Sequence, residues 1–202
     1  MAQYKKPIGV NVLEAARERI SWAFDTFPKL YVSFSAGKDS TTMLHLVMDE
    51  AVRRGRKVGV LLIDLEGQYR ITIEHGLKCC AMYEGHIDLY WVCLPIHLRN
   101  AVSVFETHWL CWDPERKKDW VRQPPKIAIT DPGYFPFFKP AMEFEEFVPE
   151  FGRWYGGGEM TGCFVGIRSD ESLNRYRTVA GHGTKLDGWN YTNFICETLF
   201  NV

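Results

Sequence analysis

The segment that most constrains the fold runs from Tyr31 to Ser40 and reads Tyr-Val-Ser-Phe-Ser-Ala-Gly-Lys-Asp-Ser. An apolar, β-prone stretch gives way to a short loop of small residues with one lysine, and a helical pattern begins directly after it. Small residues let the backbone approach an anion closely, and the N–H groups and dipole of a helix start add positive charge beside Lys38. The segment therefore predicts a phosphate-binding loop between a buried strand and a helix.

This loop differs from the Walker loop of GTPases and many kinases. The Walker pattern requires Gly-x-x-x-x-Gly-Lys-Ser/Thr, whereas here Gly37-Lys38 is followed by Asp39 and no glycine lies five residues upstream. A Walker-type GTPase or kinase is therefore disfavoured. The hydroxyls of Ser35, Ser40 and Thr41 are further candidate donors to a phosphate.

Residues Ser35 to Ser40 resemble the Ser-Gly-Gly-Lys-Asp-Ser signature of the PP-loop ATP pyrophosphatases, whose relatives include phosphoadenosine phosphosulfate (PAPS) reductases. A second stretch, Gly166-Ile-Arg-Ser-Asp-Glu-Ser with Arg175, is similar to the Gly-Ile-Arg-x-Asp-Glu-Ser…Arg motif of PAPS reductase-like proteins. The resemblance spans roughly residues 29 to 179. Ala36 replaces the usual glycine, so we expect either a backbone with negative φ there or a slightly different loop geometry.

The length and composition suit one domain over residues 1–202, since 202 residues can bury a sizeable core. A formal net charge of −1 gives no global reason to expect nucleic-acid or membrane binding. Because the chain has no 18-residue apolar run and no signal-peptide pattern, we expect a cytoplasmic protein without a membrane partner. The apolar final residues, 195–202, leave open whether the natural chain continues past Val202.

The six cysteines are expected to be buried thiols, since none has zinc-ligand spacing. The adjacent pair Cys79-Cys80 lacks a companion Cys-x-x-Cys and precedes the arginine motif. No iron–sulfur cluster is therefore expected.

Apolar runs alternate with helical patterns along the chain, which predicts a doubly wound α/β domain with helices on both faces of a mostly parallel, five-stranded sheet. The resemblance implies the strand order 3-2-1-4-5. The predicted strands are 30–34, 57–64, 87–94, 162–167 and 194–200, and the predicted helices are 11–24, 40–54, 68–83 and one from 169 onward. Both motifs follow strands, so we expect them to face one ligand at the carboxyl edge of the sheet.

Residues 105–158 depart from this alternation, because they are rich in aromatic residues and prolines. We interpret them as an aromatic-rich insertion between the third and fourth strands. Packing of most rings into a satellite core is favoured, and the alternative is a platform for substrate, protein or nucleic acid. Basic residues cluster near its start: Arg116, Lys117, Lys118, Arg122 and Lys126.

The resemblance implies which residues bind an adenine nucleotide, either ATP or a PAPS-like molecule, with Mg²⁺. The residues assigned to this site are Ser33, Ser35, Ala36, Gly37, Lys38, Asp39, Ser40, Ile63, Asp64, Leu65, Gly166, Arg168 and Arg175. Lys38, Asp39 and Arg168 are the predicted catalytic residues, because cations must stabilise charge that accumulates on a leaving pyrophosphate. Asp39 either holds Mg²⁺ or satisfies N–H groups at the helix start.

Several polar residues have two interpretations. Glu66 is expected to be a solvated loop carboxylate, and the alternative is a contact with Mg²⁺ or substrate. Asp170 is expected to cap a helix, and Arg168 is assigned to the ligand instead of a surface salt bridge. The six histidines show no spacing that marks a metal site or identifies a general base.

The leading functional prediction is an enzyme that cleaves ATP between the α- and β-phosphates and adenylates a substrate. Thiol-dependent PAPS reductases carry a catalytic cysteine in a C-terminal Glu-Cys-Gly-x-His segment, which this chain lacks, and Cys196 does not match it. Sulfonucleotide binding or reduction is therefore the second alternative. The third is a non-catalytic, nucleotide-dependent regulatory or defence component, since PAPS reductase-like proteins similar to the immunoglobulin-binding regulator A group pair with ParB-like partners. The 105–158 insertion would then contact that partner or DNA.

Overall fold

The computed structural model describes residues 9–100, 102, 104–167, 172–173, 176–177, 185–188 and 191–197. Helices and strands alternate along much of this part of the chain. The helices are α1 (Val12–Thr26), α2 (Lys38–Arg54), α3 (Arg70–Met82) and α4 (Phe144–Gly156). The strands are β1 (Lys29–Ser33), β2 (Val58–Ile63), β3 (Ile87–Val92), β4 (His97–Arg99), β5 (His108–Leu110), β6 (Thr161–Ile167), β7 (Lys185–Gly188) and β8 (Tyr191–Glu197).

The main sheet has the strand order β3-β2-β1-β6-β8-β7. Tyr31 of β1 pairs in parallel with Gly59 of β2 on one side and with Cys163 of β6 on the other. The prediction of an α/β protein with a parallel sheet is confirmed, and its central strands follow the order 3-2-1-4. The predicted number of five strands is not confirmed: β8 pairs in parallel with β6, and β7 pairs antiparallel with β8 as an additional edge strand among the described residues. The polar sequence of β7 has no apolar run that would predict a strand.

Local sequence signals explain the helix boundaries. The side chain of Asn11 caps α1 and accepts the N–H of Glu14 at 2.9 Å. Gly55 ends α2 in the left-handed conformation, with φ 63°. The α2 helix begins at Lys38, two residues before the predicted start, so the lysine of the loop belongs to the first helical turn.

Helices cover both faces of the described sheet. On one face, Phe24 of α1 stacks on Phe164 of β6, with ring centroids 6.4 Å apart. On the other face, Phe151 of α4 contacts Tyr31 of β1 and Tyr90 of β3, at centroid distances of 5.2 and 5.1 Å. Tyr31 and Phe164 point to opposite faces of the sheet. Successive residues of a strand therefore pack in two layers of the core, one on each face.

Most aromatic rings between β5 and β6 pack inward. Phe135, Phe147 and Phe151 are buried, and Phe135 meets Phe147 edge to face at 5.4 Å. The prediction that most of these rings pack inward is confirmed. Since Phe151 also contacts the sheet, they join the main core, and only their placement in a satellite core is wrong. Among the described residues, no helix combines the length and the apolar content needed to cross a membrane.

Candidate functional site

The predicted phosphate loop lies between the carboxyl end of β1 and the start of α2. Phe34 continues the strand, donating its N–H to the carbonyl of Leu61 at 2.8 Å. Gly37 is the N-cap residue of α2 and supplies no side chain, while Ser35, Gly37 and Lys38 are exposed. A helix start of this kind directs N–H groups and the positive end of the dipole toward solvent, where an anion binds favourably.

Two serine hydroxyls hold the loop in shape. The Oγ of Ser40 accepts the N–H of Ser35 at 3.2 Å and donates to the carbonyl of Gly37 at 3.1 Å. The two hydroxyl oxygens lie 3.0 Å apart, and since Ser40 donates its proton to Gly37, Ser35 donates to Ser40. Ser33 is the last residue of β1 and is half-buried. The loop is therefore preorganised by its own hydroxyls, and the exposed cation above it is Lys38.

Ala36 adopts the left-handed conformation, with φ 57°. The prediction of negative φ at this position is therefore wrong, and the turn requires the backbone conformation that glycine adopts most easily. An L-residue in this region costs about 1 to 2 kcal/mol. The Ala36 methyl is nearly buried, and a Cβ built on Gly76 of α3 would lie 3.4 Å from it. Packing against α3 offsets part of the backbone strain.

The second motif begins beside this loop. β6 pairs in parallel with β1, and Ser33 lies opposite Val165. A Cβ built on Gly166 would lie 3.0 Å from the carbonyl carbon and oxygen of Asp39 and 3.0 Å from the Cα of Ser40. Only glycine permits this approach, so the end of β6 lies directly against the first turn of α2.

The charged residues of the second motif lie outside the described residues. These are Arg168, Asp170, Glu171 and Arg175, and the helix predicted from 169 onward falls largely in the same part of the chain. Gly166 is the described residue of the motif that lies against the first turn of α2. The assignment of Arg168 and Arg175 to phosphate binding therefore stays a prediction.

Asp64 follows β2 and is only 1% exposed. Its Oδ1 accepts the N–H of Glu66 at 3.0 Å and the Nη2 of Arg122 at 2.5 Å, and its Oδ2 accepts the indole N–H of Trp91 at 3.0 Å. Its main-chain carbonyl accepts the indole N–H of Trp112 at 2.5 Å. The carboxylate is thus surrounded by protein donors.

Ile63 and Leu65 flank Asp64 at the carboxyl edge of the sheet and are half-buried. Their main chains are the adenine contacts that the resemblance implies. The carbonyl of Leu65 accepts the N–H of Gly67 at 2.7 Å, which turns the chain sharply after β2. Because β1 and β2 are neighbours, this turn lies beside the loop that contains Lys38.

Glu66 is a buried structural carboxylate, 6% exposed. Its Oε2 accepts the main-chain N–H of Trp112 at 2.7 Å, and its Oε1 accepts the main-chain N–H of Val121 at 3.1 Å. Glu66 and Trp112 both have positive φ, at 66° and 52°. The prediction of a solvated loop carboxylate is wrong, because the segment from Trp112 to Arg122 covers Glu66.

Arg122, which belongs to the same segment, forms an ion pair with Asp64. Its Nη2 contacts Asp64 and lies 3.5 Å from Oε1 of Gln68, and its guanidinium lies 5.1 Å from the ring centroid of Trp112. The Nε and Nη1 atoms are buried and have no hydrogen-bond acceptor within the described ranges. The guanidinium therefore pairs with the buried carboxylate of Asp64 and docks residues 112–122 on the end of β2.

His75 of α3 lies beside the first turn of α2. Its Nε2 is 3.0 Å from Oγ1 of Thr41 and 3.5 Å from Sγ of Cys79. One turn further along α2 and two turns further along α3, Nδ1 of His45 is 2.5 Å from the hydroxyl of Tyr83. Sequence reasoning missed these pairs, because their partners lie 34 and 38 residues apart in sequence.

The cysteines of the described chain are poor candidates for thiol chemistry. Five are buried: Cys79, Cys80, Cys93, Cys111 and Cys163. Burial raises the pKa of each thiol, for example to about 12 at Cys111, so thiolates are scarce near neutral pH. Within the described ranges, no three His, Cys, Asp or Glu side chains come together as a metal site would require.

Asp39, the predicted Mg²⁺ ligand, is buried in the first turn of α2. The basic residues near Trp112 are mostly exposed, and the ammonium of Lys117 lies 5.8 Å from the ring centroid of Trp120. Neither the burial of Asp39 nor the exposure of the basic residues tests the metal or the nucleic-acid assignment, so both stay predictions.

The described residues define an α/β protein whose parallel sheet carries a strand–loop–helix unit with an exposed lysine, next to the strand where the order reverses. No family model matches the chain. The chain is similar to "Uncharacterized protein YbdN" of Escherichia coli (strain K12), with 46% identity over 181 residues. The match covers 89% of this chain and 44% of that protein, so the chain spans less than half the length of this relative.

Proposed function

We propose that this chain is a PP-loop domain of the PAPS reductase-like kind, which binds ATP and cleaves it between the α- and β-phosphates to adenylate a substrate. The observation that supports the proposal most is the contact of Gly166 with the first turn of α2. It brings the start of one predicted motif to the other, although they are about 130 residues apart. The proposal includes the complete doubly wound sheet with the order 3-2-1-4-5.

In this proposal the phosphates of ATP lie over the first turn of α2. The N–H groups of residues 37–40 and the ammonium of Lys38 hold the β- and γ-phosphates, because helix starts and cations stabilise phosphate charge. The serine hydrogen bonds keep these groups in place before the ligand arrives. Preorganised donors cost little reorganisation when charge develops.

The adenine end of ATP lies beside the turn after β2. The main chains of Ile63 and Leu65 would contact the base, while Asp64 holds the turn itself through its protein partners. The segment 112–122 forms a wall on this side of the site, since Glu66 and Arg122 attach it to the same turn.

An oxygen of the acceptor attacks the α-phosphorus, a new P–O bond forms, and the bond to the β-phosphate bridging oxygen breaks. Pyrophosphate leaves, and its charge is stabilised by Lys38 and by Arg168. Asp39 would supply one carboxylate to Mg²⁺. This fits the ion, because Mg²⁺ usually takes one or two carboxylates together with phosphate oxygens and water. When bound, Mg²⁺ would neutralise charge on the phosphate oxygens.

Sulfonucleotide reduction has less support, because the described cysteines are buried and their pKa values are raised. A non-catalytic component with a ParB-like or DNA partner predicts nucleotide binding without turnover. The adenylating enzyme and the non-catalytic component therefore differ in a single observable, which is the release of AMP and pyrophosphate.

The test incubates the protein with ATP and Mg²⁺, with and without candidate acceptors, and follows products by phosphorus NMR. AMP and pyrophosphate are expected, and Lys38→Ala should abolish their formation. Lys38→Ala and Arg168→Ala should each weaken ATP binding by about 1.5 to 3 kcal/mol in titration calorimetry, because each removes a charge-assisted contact.

Lys57→Ala is the matched control. Lys57 is 59% exposed and precedes β2 at the opposite, amino edge of the sheet, so its removal should leave ATP binding unchanged. Equal ATP affinity in the Lys38 and Arg168 variants and in wild type would reject the assignment of those residues.

A further inference from the structure

His75 lies in the groove between α3 and the first turn of α2. Its Nε2 atom is 3.0 Å from Oγ1 of Thr41, the residue that follows Ser40 and closes the first turn. The imidazole is exposed, whereas Cys79, its neighbour on α3, is buried. An ionisable ring therefore contacts a hydroxyl one residue beyond the predicted phosphate loop.

We propose that His75 is a further residue of the phosphate site, and that its protonation makes the Thr41 hydroxyl a donor to a ligand phosphate. The inference rests on the proposed function, since it concerns the same anion site. His75 is a positioning residue here, because it acts on the ligand through Thr41.

The chemistry follows from the single proton of a hydroxyl. A neutral imidazole whose Nε2 carries no proton accepts the Thr41 hydroxyl proton, which is then unavailable to a ligand. A protonated imidazole donates from Nε2, so the oxygen of Thr41 accepts and its own proton is released for another acceptor. Helical side chains lean toward the helix N-terminus, and for Thr41 that direction is the phosphate loop.

Protonation also adds a positive charge near the loop. A positive charge on His75 adds to that of Lys38 and strengthens anion binding, as the released hydroxyl donor also does. The two effects predict phosphate binding that tightens when acidification protonates the His75 imidazole.

Other charged or titratable groups lie within about a turn of this pair. They are Lys38, Asp39 and His45 on α2, and Arg70, Glu74, Lys78 and Cys79 on α3. Burial raises the pKa of the Cys79 thiol, which therefore stays neutral, and Glu74 forms an ion pair with Arg70 at 3.3 Å. His45 is the other imidazole among these groups, and it contacts Tyr83 instead of Thr41.

The experiment measures the dissociation constant of inorganic pyrophosphate at pH 8.0 and pH 5.5 by titration calorimetry. Wild type, His75→Gln, Thr41→Val and the control His45→Gln are compared. The titration of pyrophosphate itself is common to all four proteins and cancels in the comparison. Glutamine keeps an amide donor near the position of Nε2 but does not titrate.

On acidification, wild type and His45→Gln should gain about three- to tenfold more affinity than His75→Gln, a range typical of one nearby charge. Thr41→Val should show a smaller gain than wild type. Equal pH dependence in wild type and His75→Gln would overturn the inference while leaving the proposed function intact. Absence of pyrophosphate binding to wild type at both pH values would overturn both.

Proton NMR of the wild-type imidazole adds a readout that requires no variant to fold. By reciprocal linkage, saturating pyrophosphate at a fixed, mildly acidic pH should move the ring-proton signals of His75 toward those of the protonated imidazole. Unchanged ring-proton signals of His75 in the presence of bound pyrophosphate would also overturn the inference.

Discussion

Replacement of Glu66 tests whether a buried carboxylate holds residues 112–122 on the end of β2. Glu66→Ala removes the acceptor of two main-chain N–H groups, those of Trp112 at 2.7 Å and Val121 at 3.1 Å. Hydrogen bonds to charged groups contribute about 1.5 to 3 kcal/mol each, and buried donors left without acceptors add to the loss. Water reaches the partly buried Val121 N–H more easily than that of Trp112, so we expect a total loss of about 2 to 4 kcal/mol.

A second variant at this position separates the carboxylate from the backbone. Glu66 has φ 66°, a conformation that costs an L-residue about 1 to 2 kcal/mol relative to glycine. Glu66→Gly loses the same hydrogen bonds as Glu66→Ala but gains this relief. It should therefore be about 1 kcal/mol more stable than Glu66→Ala, an order opposite to that expected inside a helix or strand.

Urea unfolding followed by tryptophan fluorescence measures these differences as changes in the free energy of unfolding. Glu84→Ala is the control, because Glu84 is an exposed carboxylate in the turn after α3. Stability of Glu66→Ala within about 0.5 kcal/mol of wild type, the range of ordinary surface substitutions, would refute the anchoring role. Equal or lower stability of Glu66→Gly would refute the argument from backbone strain.

Three further predictions concern single contacts. Ala36→Gly should raise the free energy of unfolding by up to about 1 kcal/mol in urea denaturation, because it relieves φ 57°; a clear loss would show that packing of the methyl outweighs strain. Arg122→Met should lower the free energy of unfolding by about 3 to 5 kcal/mol, because Asp64 then remains buried without its cation. Stability close to that of wild type would contradict the role of this ion pair as an anchor. Hydrogen bonding to Arg53 lowers the pKa of Glu50 below its usual value, so the stability that this carboxylate contributes is present above pH 4.5 and declines as pH falls toward its folded pKa. Glu50→Gln should therefore lose less stability between pH 7 and pH 4 than wild type, and equal losses in parallel urea titrations would contradict this.

The elements of the sheet were predictable because local signals coincide with their tertiary roles. Continuous apolar runs mark β1, β2 and β3, and a cap at Asn11 and a glycine at residue 55 mark the ends of helices. β7 was not predictable, since its polar residues join the sheet only by pairing with β8. Pairing between strands is a tertiary event that single-sequence patterns do not encode.

The candidate site likewise has one part that the sequence predicts and another that it does not. The sequence of the phosphate loop predicts its strand–loop–helix arrangement, because small residues, one lysine and a helix start are adjacent in the chain. Glu66, Arg122 and His75 were misjudged or missed, since their partners lie 34 to 58 residues away in sequence. Such contacts depend on how the segment 112–122 and α3 are placed by the fold.

The attachment of residues 112–122 through Glu66 depends on main-chain atoms and not on side chains. Its carboxylate recognises the amides of residues 112 and 121, which every amino acid except proline possesses. The Val121 side chain is 72% exposed and takes no part in the attachment. In related proteins, substitution of outward-facing residues can therefore change what this segment recognises. Its attachment to Glu66 stays the same.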